Sequence, residues 1–170
     1  MPINRLNHAV LYVRDADRSA DFYTENLGFR RLPVELPGAV FLQAEGSNND
    51  HDLGLFSVGA AAADSPAGRG AVGLYHLAWE VDTLSDLARI GQVLSAAGAL
   101  VGATDHGSTK ALYGRDLDGI EFEISWLVPA DVLDESTTPT ARRLDIQAEI
   151  DHYGADTLGG VGISRVVVDS

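Results

Sequence analysis

The feature that most constrains this chain is an internal repeat. Leu6-Asn7-His8-Ala9-Val10-Leu11-Tyr12-Val13 matches Leu74-Tyr75-His76-Leu77-Ala78-Trp79-Glu80-Val81, with leucine, histidine and valine at the same three places. A repeat fixes architecture before any local motif does, because two copies of one unit fold alike. Each copy opens as a strand that carries a histidine. Side chains alternate along a strand, so His8 shares a face with Val10 and Tyr12, and His76 shares one with Ala78 and Glu80.

A helix follows each strand. In the second copy Thr83-Leu84-Ser85-Asp86 has capping-box spacing with Asp in place of Glu or Gln, Leu84, Leu87, Gly91 and Leu94 recur at helical intervals, and Gly98 ends the run. In the first copy Asp15 or Asp17 caps, Phe22 or Tyr23 and Leu27 supply the apolar stripe, and Gly28 is the stop. Three short β runs come next in each copy: Phe29 to Leu32, Ala39 to Leu42 and Asp52 to Val58, then Ala99 to Ala103, Lys110 to Gly114 and Glu121 to Trp126. The order is β-α-β-β-β, twice.

The boundaries follow from that pattern: a first module over residues 1–58, a small-residue linker over 59–73, a second module over 74–126, and an extension over 127–170. In the extension Ile146, Ile150 and Tyr153 share a helical face and Val161 to Val168 suit a strand or a tail, and neither suggests chemistry. Phe41, Phe56, Trp79 and Trp126 are the aromatic candidates for the wall of a binding cup.

Composition then excludes several classes of function. With 12 Lys+Arg against 25 Asp+Glu, the chain carries a net charge of −13, which repels phosphate backbones and argues against nucleic acid and anionic membrane as partners. Cysteine is absent, so disulfides, thiolate nucleophiles and sulfur-ligated metals are out, and any metal must sit on nitrogen and oxygen. No signal-like N-terminus or long apolar run is present, which makes the cytoplasm the expected location.

Two histidines at equivalent repeat positions are candidates for convergence on one ion. A third ligand is needed to offset the cation's charge, and the run Gly119-Ile120-Glu121-Phe122-Glu123-Ile124 offers two carboxylates on one strand face; position alone does not choose between Glu121 and Glu123. Two imidazoles with one carboxylate suit a non-haem Fe(II) site and equally a catalytic zinc site. His106 and Tyr113 lie just upstream and could exchange hydrogen bonds with a ligand or serve as rim and core residues. Tyr113 shares a face with Glu123 only if Asp116-Leu117-Asp118-Gly119 closes a hairpin. His51, between Asp50 and Asp52, suits acid/base work and equally an idle ion pair. His152 reads as surface.

At these residues the sequence resembles the vicinal oxygen chelate superfamily (glyoxalase, bleomycin resistance, dioxygenase), and within it the type I extradiol catechol 2,3-dioxygenases. Thr104, His106, Leu112, Tyr113, Asp116, Gly119 and Glu123 follow the order and spacing of their C-terminal signature, with Leu117 where the signature has proline. The resemblance implies an α+β fold of paired βαβββ modules forming an eight-stranded cup. It implies His8, His76 and Glu123 as metal ligands, thereby selecting Glu123 over Glu121. It also implies His51 as acid/base, Tyr113 as hydrogen-bond donor to substrate and His106 as its outer partner.

The implied cofactor is Fe(II), with Mn(II) as a second candidate, and the implied reaction is cleavage of a small aromatic diol beside its hydroxyls by O2. A homodimer is a further expectation for paired-module proteins of this size. Two alternatives stand beside this reading: a glyoxalase-like metal-dependent isomerase or lyase, and a metal-free binding protein of the same fold. Isomerase relatives usually place a fourth ligand, Glu or Gln, on the last strand of the first module, where this chain has Leu53-Gly54-Leu55-Phe56-Ser57.

Overall fold

The computed structural model of the chain describes residues 2–3, 5–67, 70–133 and 138–160. Two compact units divide between Asp64 and Ser65. The first contains β1 (Ala9–Val13), α1 (Ala16–Leu27), β2 (Arg30–Arg31), β3 (Ala39–Gln43) and β4 (Leu53–Ser57). The second contains β5 (Leu77–Glu80), α2 (Leu84–Ala96), β6 (Leu100–Asp105), β7 (Thr109–Arg115), β8 (Glu121–Leu127), β9 (Arg142–Arg143) and α3 (Ile146–Tyr153). The twofold β-α-β-β-β order expected from the repeat is therefore present.

The first sheet runs β1-β4-β3-β2 and the second β5-β8-β7-β6-β9. In each, the opening strand lies parallel to the last strand of its module and the remaining pairs are antiparallel. That makes nine strands among the described residues rather than eight, because β9 of the extension adds to the open edge of β6. The ladders begin at Ala9 and Leu77, one residue past each histidine, so His8 and His76 stand at the mouths of their strands instead of within them. The alternation still holds in the first: Leu11 and Val13 are buried, and Val10 and Tyr12 face outward with His8.

Local chemistry explains the helices. Asp15, not Asp17, caps α1 by accepting from the Arg18 amide at 3.1 Å, while Asp17 instead takes the Arg31 guanidinium at 2.7 Å. Thr83 caps α2 by accepting from the Asp86 amide at 3.1 Å, and its hydroxyl donates to the Asp86 carboxylate at 2.7 Å. Asp is one methylene shorter than the usual Glu, so it meets the threonine hydroxyl. Both helices end at glycines in the left-handed region, Gly28 at φ 74° and Gly98 at φ 68°, where a side chain would be strained. Leu84, Leu87, Ile90 and Leu94 turn one stripe of α2 into its sheet, and Phe22 and Tyr23 do the same for α1.

The extension is built into the second unit. Leu144 is buried, α3 packs on α2, and the Trp126 indole donates to the Thr157 carbonyl at 3.2 Å beside the Tyr153 ring. Trp126 is consequently fully buried core and does not line a cup, contrary to the sequence expectation. Val161 to Val168 lie outside the described residues.

One close approach tests the packing of the second sheet. The Phe122 ring lies over Gly114, its direct partner across β7 and β8, and a Cβ at Gly114 would come within 2.6 Å of Phe122 Cε2. Phe122 is 1% exposed and has little room to withdraw. Gly114→Ala should lower stability by about 1–3 kcal/mol through overpacking. Urea unfolding checks this, and an unchanged midpoint would count against the packing described.

Candidate functional site

In the second unit three strands bring four of the candidate side chains together. β5 and β8 pair with Ala78 opposite Glu123, so His76, two residues before Ala78, lies on the Glu123 face. β7 and β8 pair with Tyr113 directly opposite Glu123, on that same face. The hairpin this needs is closed by the Asp116 side chain, which accepts from the amides of Asp118 and Ile120 at 2.9 Å each, so the turn holds with leucine where the family signature has proline. His76 Nε2 stands 3.1 Å from Glu123 Oε2, and Ser125 donates to Glu123 Oε1 at 2.5 Å. Tyr113, directly across the strand pair from Glu123, lies close enough to feel its charge. Glu121 instead takes the Arg115 guanidinium at 2.6 Å and has no part in this cluster.

Behind Tyr113 lies His106. Its Nε2 is 2.8 Å from the phenolic oxygen, and its Nδ1 is 3.1 Å from the Thr140 carbonyl. A carbonyl only accepts, so Nδ1 must carry the hydrogen; in the neutral ring Nε2 is then the acceptor of the Tyr113 O–H. Burial, reinforced by the nearby Glu123 charge, pushes the Tyr113 phenol from 10.0 up to about 12. The phenol therefore keeps its proton throughout the neutral range.

The first unit holds the other two histidines as neighbours. The rings of His8 and His51 are 4.3 Å apart, His51 meets the edge of Phe41 at 5.3 Å, and Phe41 meets Phe56 at 5.9 Å. His51 Nδ1 lies 3.2 Å from Asp50. Asp52, the other aspartate beside it in sequence, is turned away: its carboxylate accepts from the Ala44 amide, Ser47 and Asn49. His152 is exposed on α3.

The donor chemistry of His76 and Glu123 fits a divalent ion. Metal bonds of about 2.1 Å to nitrogen and oxygen, at right angles, put adjacent donors about 3 Å apart, and the pair stands 3.1 Å apart. The His76 Nδ1 atom is buried with no hydrogen-bond partner among the described residues. No cluster of three or more His, Asp or Glu side chains disposed to hold an ion occurs among the described residues. The pair is two of the three ligands that the resemblance implies.

Two contributors went unread in the sequence. Ser125 carries a recoverable signal, since it sits two residues beyond Glu123 on the same strand face. Thr140 carries none, because it acts through its backbone carbonyl.

Comparison with known proteins agrees with this architecture. Residues 5–124 match the Glyoxalase/Bleomycin resistance protein/Dioxygenase superfamily, and the chain belongs to that family. A glyoxylase/bleomycin resistance protein/dioxygenase domain from Frankia sp. EAN1pec is 25% identical with a TM-score of 0.59, over 73% of this chain and 98% of that one. A lactoylglutathione lyase from Agrobacterium tumefaciens is 25% identical with a TM-score of 0.53, over 74% and 95%. The fosfomycin resistance protein of Listeria monocytogenes shares the fold at 16% identity and a TM-score of 0.54, over 73% and 93%. A mutant of the Listeria protein has been solved with Mn(II) and 1S,2S-dihydroxypropylphosphonic acid. No curated protein matches the sequence. No helix among the described residues is long and apolar enough to cross a membrane.

The Tyr113 shift has a measurable sign. A folded-state value of about 12 against 10.0 unfolded means that the neutral phenol's contribution to stability is complete below about pH 10 and is lost as pH rises toward 12. Ultraviolet titration should show the Tyr113 signal, identified by its absence in Tyr113→Phe, emerging near pH 12. Emergence near pH 10 would contradict the burial and charge described here.

Proposed function

We propose that this chain is an extradiol ring-cleaving dioxygenase that uses Fe(II), with Mn(II) as the second candidate ion, to open a small catechol-type diol with O2. The observation that carries the reading is the Glu123 cluster: an imidazole at ligand spacing from a carboxylate, backed by a neutral phenol and a second imidazole. His76 and Glu123 would hold the ion, with His8 of the first unit as the third ligand that the resemblance implies. Bound there, the ion would supply a Lewis-acid anchor for the diol oxygens and the redox chemistry that O2 requires.

The chain's own residues supply positioning and protons. Tyr113, protonated at neutral pH, offers its O–H to a diol oxygen entering beside Glu123, in competition with His106 Nε2, and so steadies negative charge on that oxygen. His51, with Nδ1 turned to Asp50, offers Nε2 as the base that takes a diol hydroxyl proton and later returns it.

A second reading, a glyoxalase-like isomerase or lyase, is favoured by the likeness to the Agrobacterium lyase. Against it, β4 offers no Glu or Gln as a fourth ligand. A metal-free binding protein is the third, and the paired donors speak against it.

Anaerobic purification with Fe(II), followed by metal analysis and oxygen uptake with a catechol panel, separates these readings. The expected result is about one iron per chain, lost in Glu123→Ala and kept in Glu121→Ala, whose carboxylate serves Arg115. Tyr113→Phe should keep its iron and lose roughly 10–100-fold in kcat. Tight zinc or nickel, with isomerisation of a hemithioacetal and no oxygen uptake, would favour the second reading. Absence of metal in every preparation would leave the binding protein.

A further inference from the structure

We infer that the segment after β8, which lies outside the family match, is a working part of the site: the Thr140 carbonyl fixes the tautomer of His106 and thereby keeps the Tyr113 proton off Glu123. This inference rests on the reading of Glu123 and Tyr113 as site residues.

The argument is a count of protons. Tyr113 has one hydroxyl proton and two acceptors beside it, His106 Nε2 at 2.8 Å and the carboxylate of its direct cross-strand partner Glu123. With hydrogen on His106 Nδ1, Nε2 is bare and takes the phenolic proton. With hydrogen on Nε2, His106 would instead donate to the phenolic oxygen, and the Tyr113 proton would turn to Glu123 and occupy a lone pair that an ion needs. The choice lies with whatever faces Nδ1, and that is the Thr140 carbonyl at 3.1 Å.

The carbonyl is held in place on purpose-built contacts. The Thr140 amide donates back to the His106 carbonyl at 3.4 Å, and β9 pairs with β6 so that Arg142 and Arg143 face Asp105 and Thr104. Lys110, 4% exposed, closes the other side: its ammonium reaches Asp105 at 2.7 Å and Glu149 of α3 at 3.0 Å, with the Tyr153 ring 5.7 Å away. Burial pushes the Lys110 ammonium down, but the two carboxylates more than offset this and hold its pKa above the usual lysine value. Asp105 and Lys110 are cross-strand partners flanking the turn that carries His106. The extension thus grips that turn from both ends, and Thr140, Lys110 and Glu149 are positioning residues.

A backbone substitution tests the claim without removing the extension. Replacing Ala141 by lactic acid turns the Thr140 carbonyl into an ester, a weaker acceptor, and Thr140→Ala serves as the control that retains the amide carbonyl. In the metal-free protein labelled with 15N-histidine, His106 should show a protonated Nδ1 and a bare Nε2, in Thr140→Ala as well. The ester should move the population toward Nε2–H, and weaken Mn(II) binding by about fivefold, the size of one hydrogen bond. A protonated Nε2 in the unmodified chain, an unmoved ester variant, or an equal shift in Thr140→Ala would overturn the inference. The tautomer signal needs neither metal nor turnover, so it stands even where no metal binds or no catechol is cleaved, which are failures of the functional reading instead.

Discussion

The register of β7 against β8 is the constraint on which the second unit depends. It sets Tyr113 opposite Glu123 and Gly114 opposite Phe122, alternately building the site face and the core face of the same hairpin. A slip of one residue would carry Glu123 into the core and Phe122 and Ile124 out of it, exchanging a charged group for two apolar ones. Burial makes that slip costly: Phe122 and Ile124 are 1% and 2% exposed. The Asp116 turn and the ring lying over Gly114 pin the same register from the hairpin end. Geometry at the carboxylate is therefore maintained by hydrophobic packing on the reverse side of the sheet.

That arrangement tolerates local discord. Glu123 is nearly buried among a serine, a phenol and an imidazole, none of them a permanent positive charge. Elsewhere in the same unit half-buried carboxylates are treated differently, with the buried Lys110 shared between Asp105 and Glu149. Among the described residues, a carboxylate without a fixed cation beside a buried ring nitrogen without a partner departs from the rule that buried charges are paired. Such departures concentrate at functional sites.

Much of this was legible in the sequence because it depends on local chemistry. The repeat announced the doubled module, Asp15 or Asp17 and Thr83 the helix starts, Gly28 and Gly98 the stops, and Asp116 to Gly119 the turn that puts Tyr113 beside Glu123. What escaped is long-range or carried by the backbone. Trp126 looked like a cup aromatic because nothing near it in sequence reveals that Thr157 and Tyr153 fold back over it. Asp52 looked like a partner for His51 because adjacency hides the fact that its oxygens organise the loop from Ala44 to Asn49. The Thr140 carbonyl has no side-chain signature at all, and its partner lies 34 residues away.

The two modules also show how one repeat takes on two chemistries. Aligned on His8 and His76, the registers place Gly54 where the second module has Glu123, and Phe41 where it has Tyr113. The substitutions are coupled. Removing the carboxylate side chain lets the Phe41 ring approach until a Cβ on Gly54 would lie 3.5 Å from it, and Val10 closes in at 3.4 Å. An aromatic ring without a hydroxyl needs no acceptor, so the first module turns the same positions into an apolar surface that His51 meets in an edge-to-face contact. A Cβ at Gly54 would already touch both neighbours, so any longer side chain there would have to pass between Val10 and Phe41.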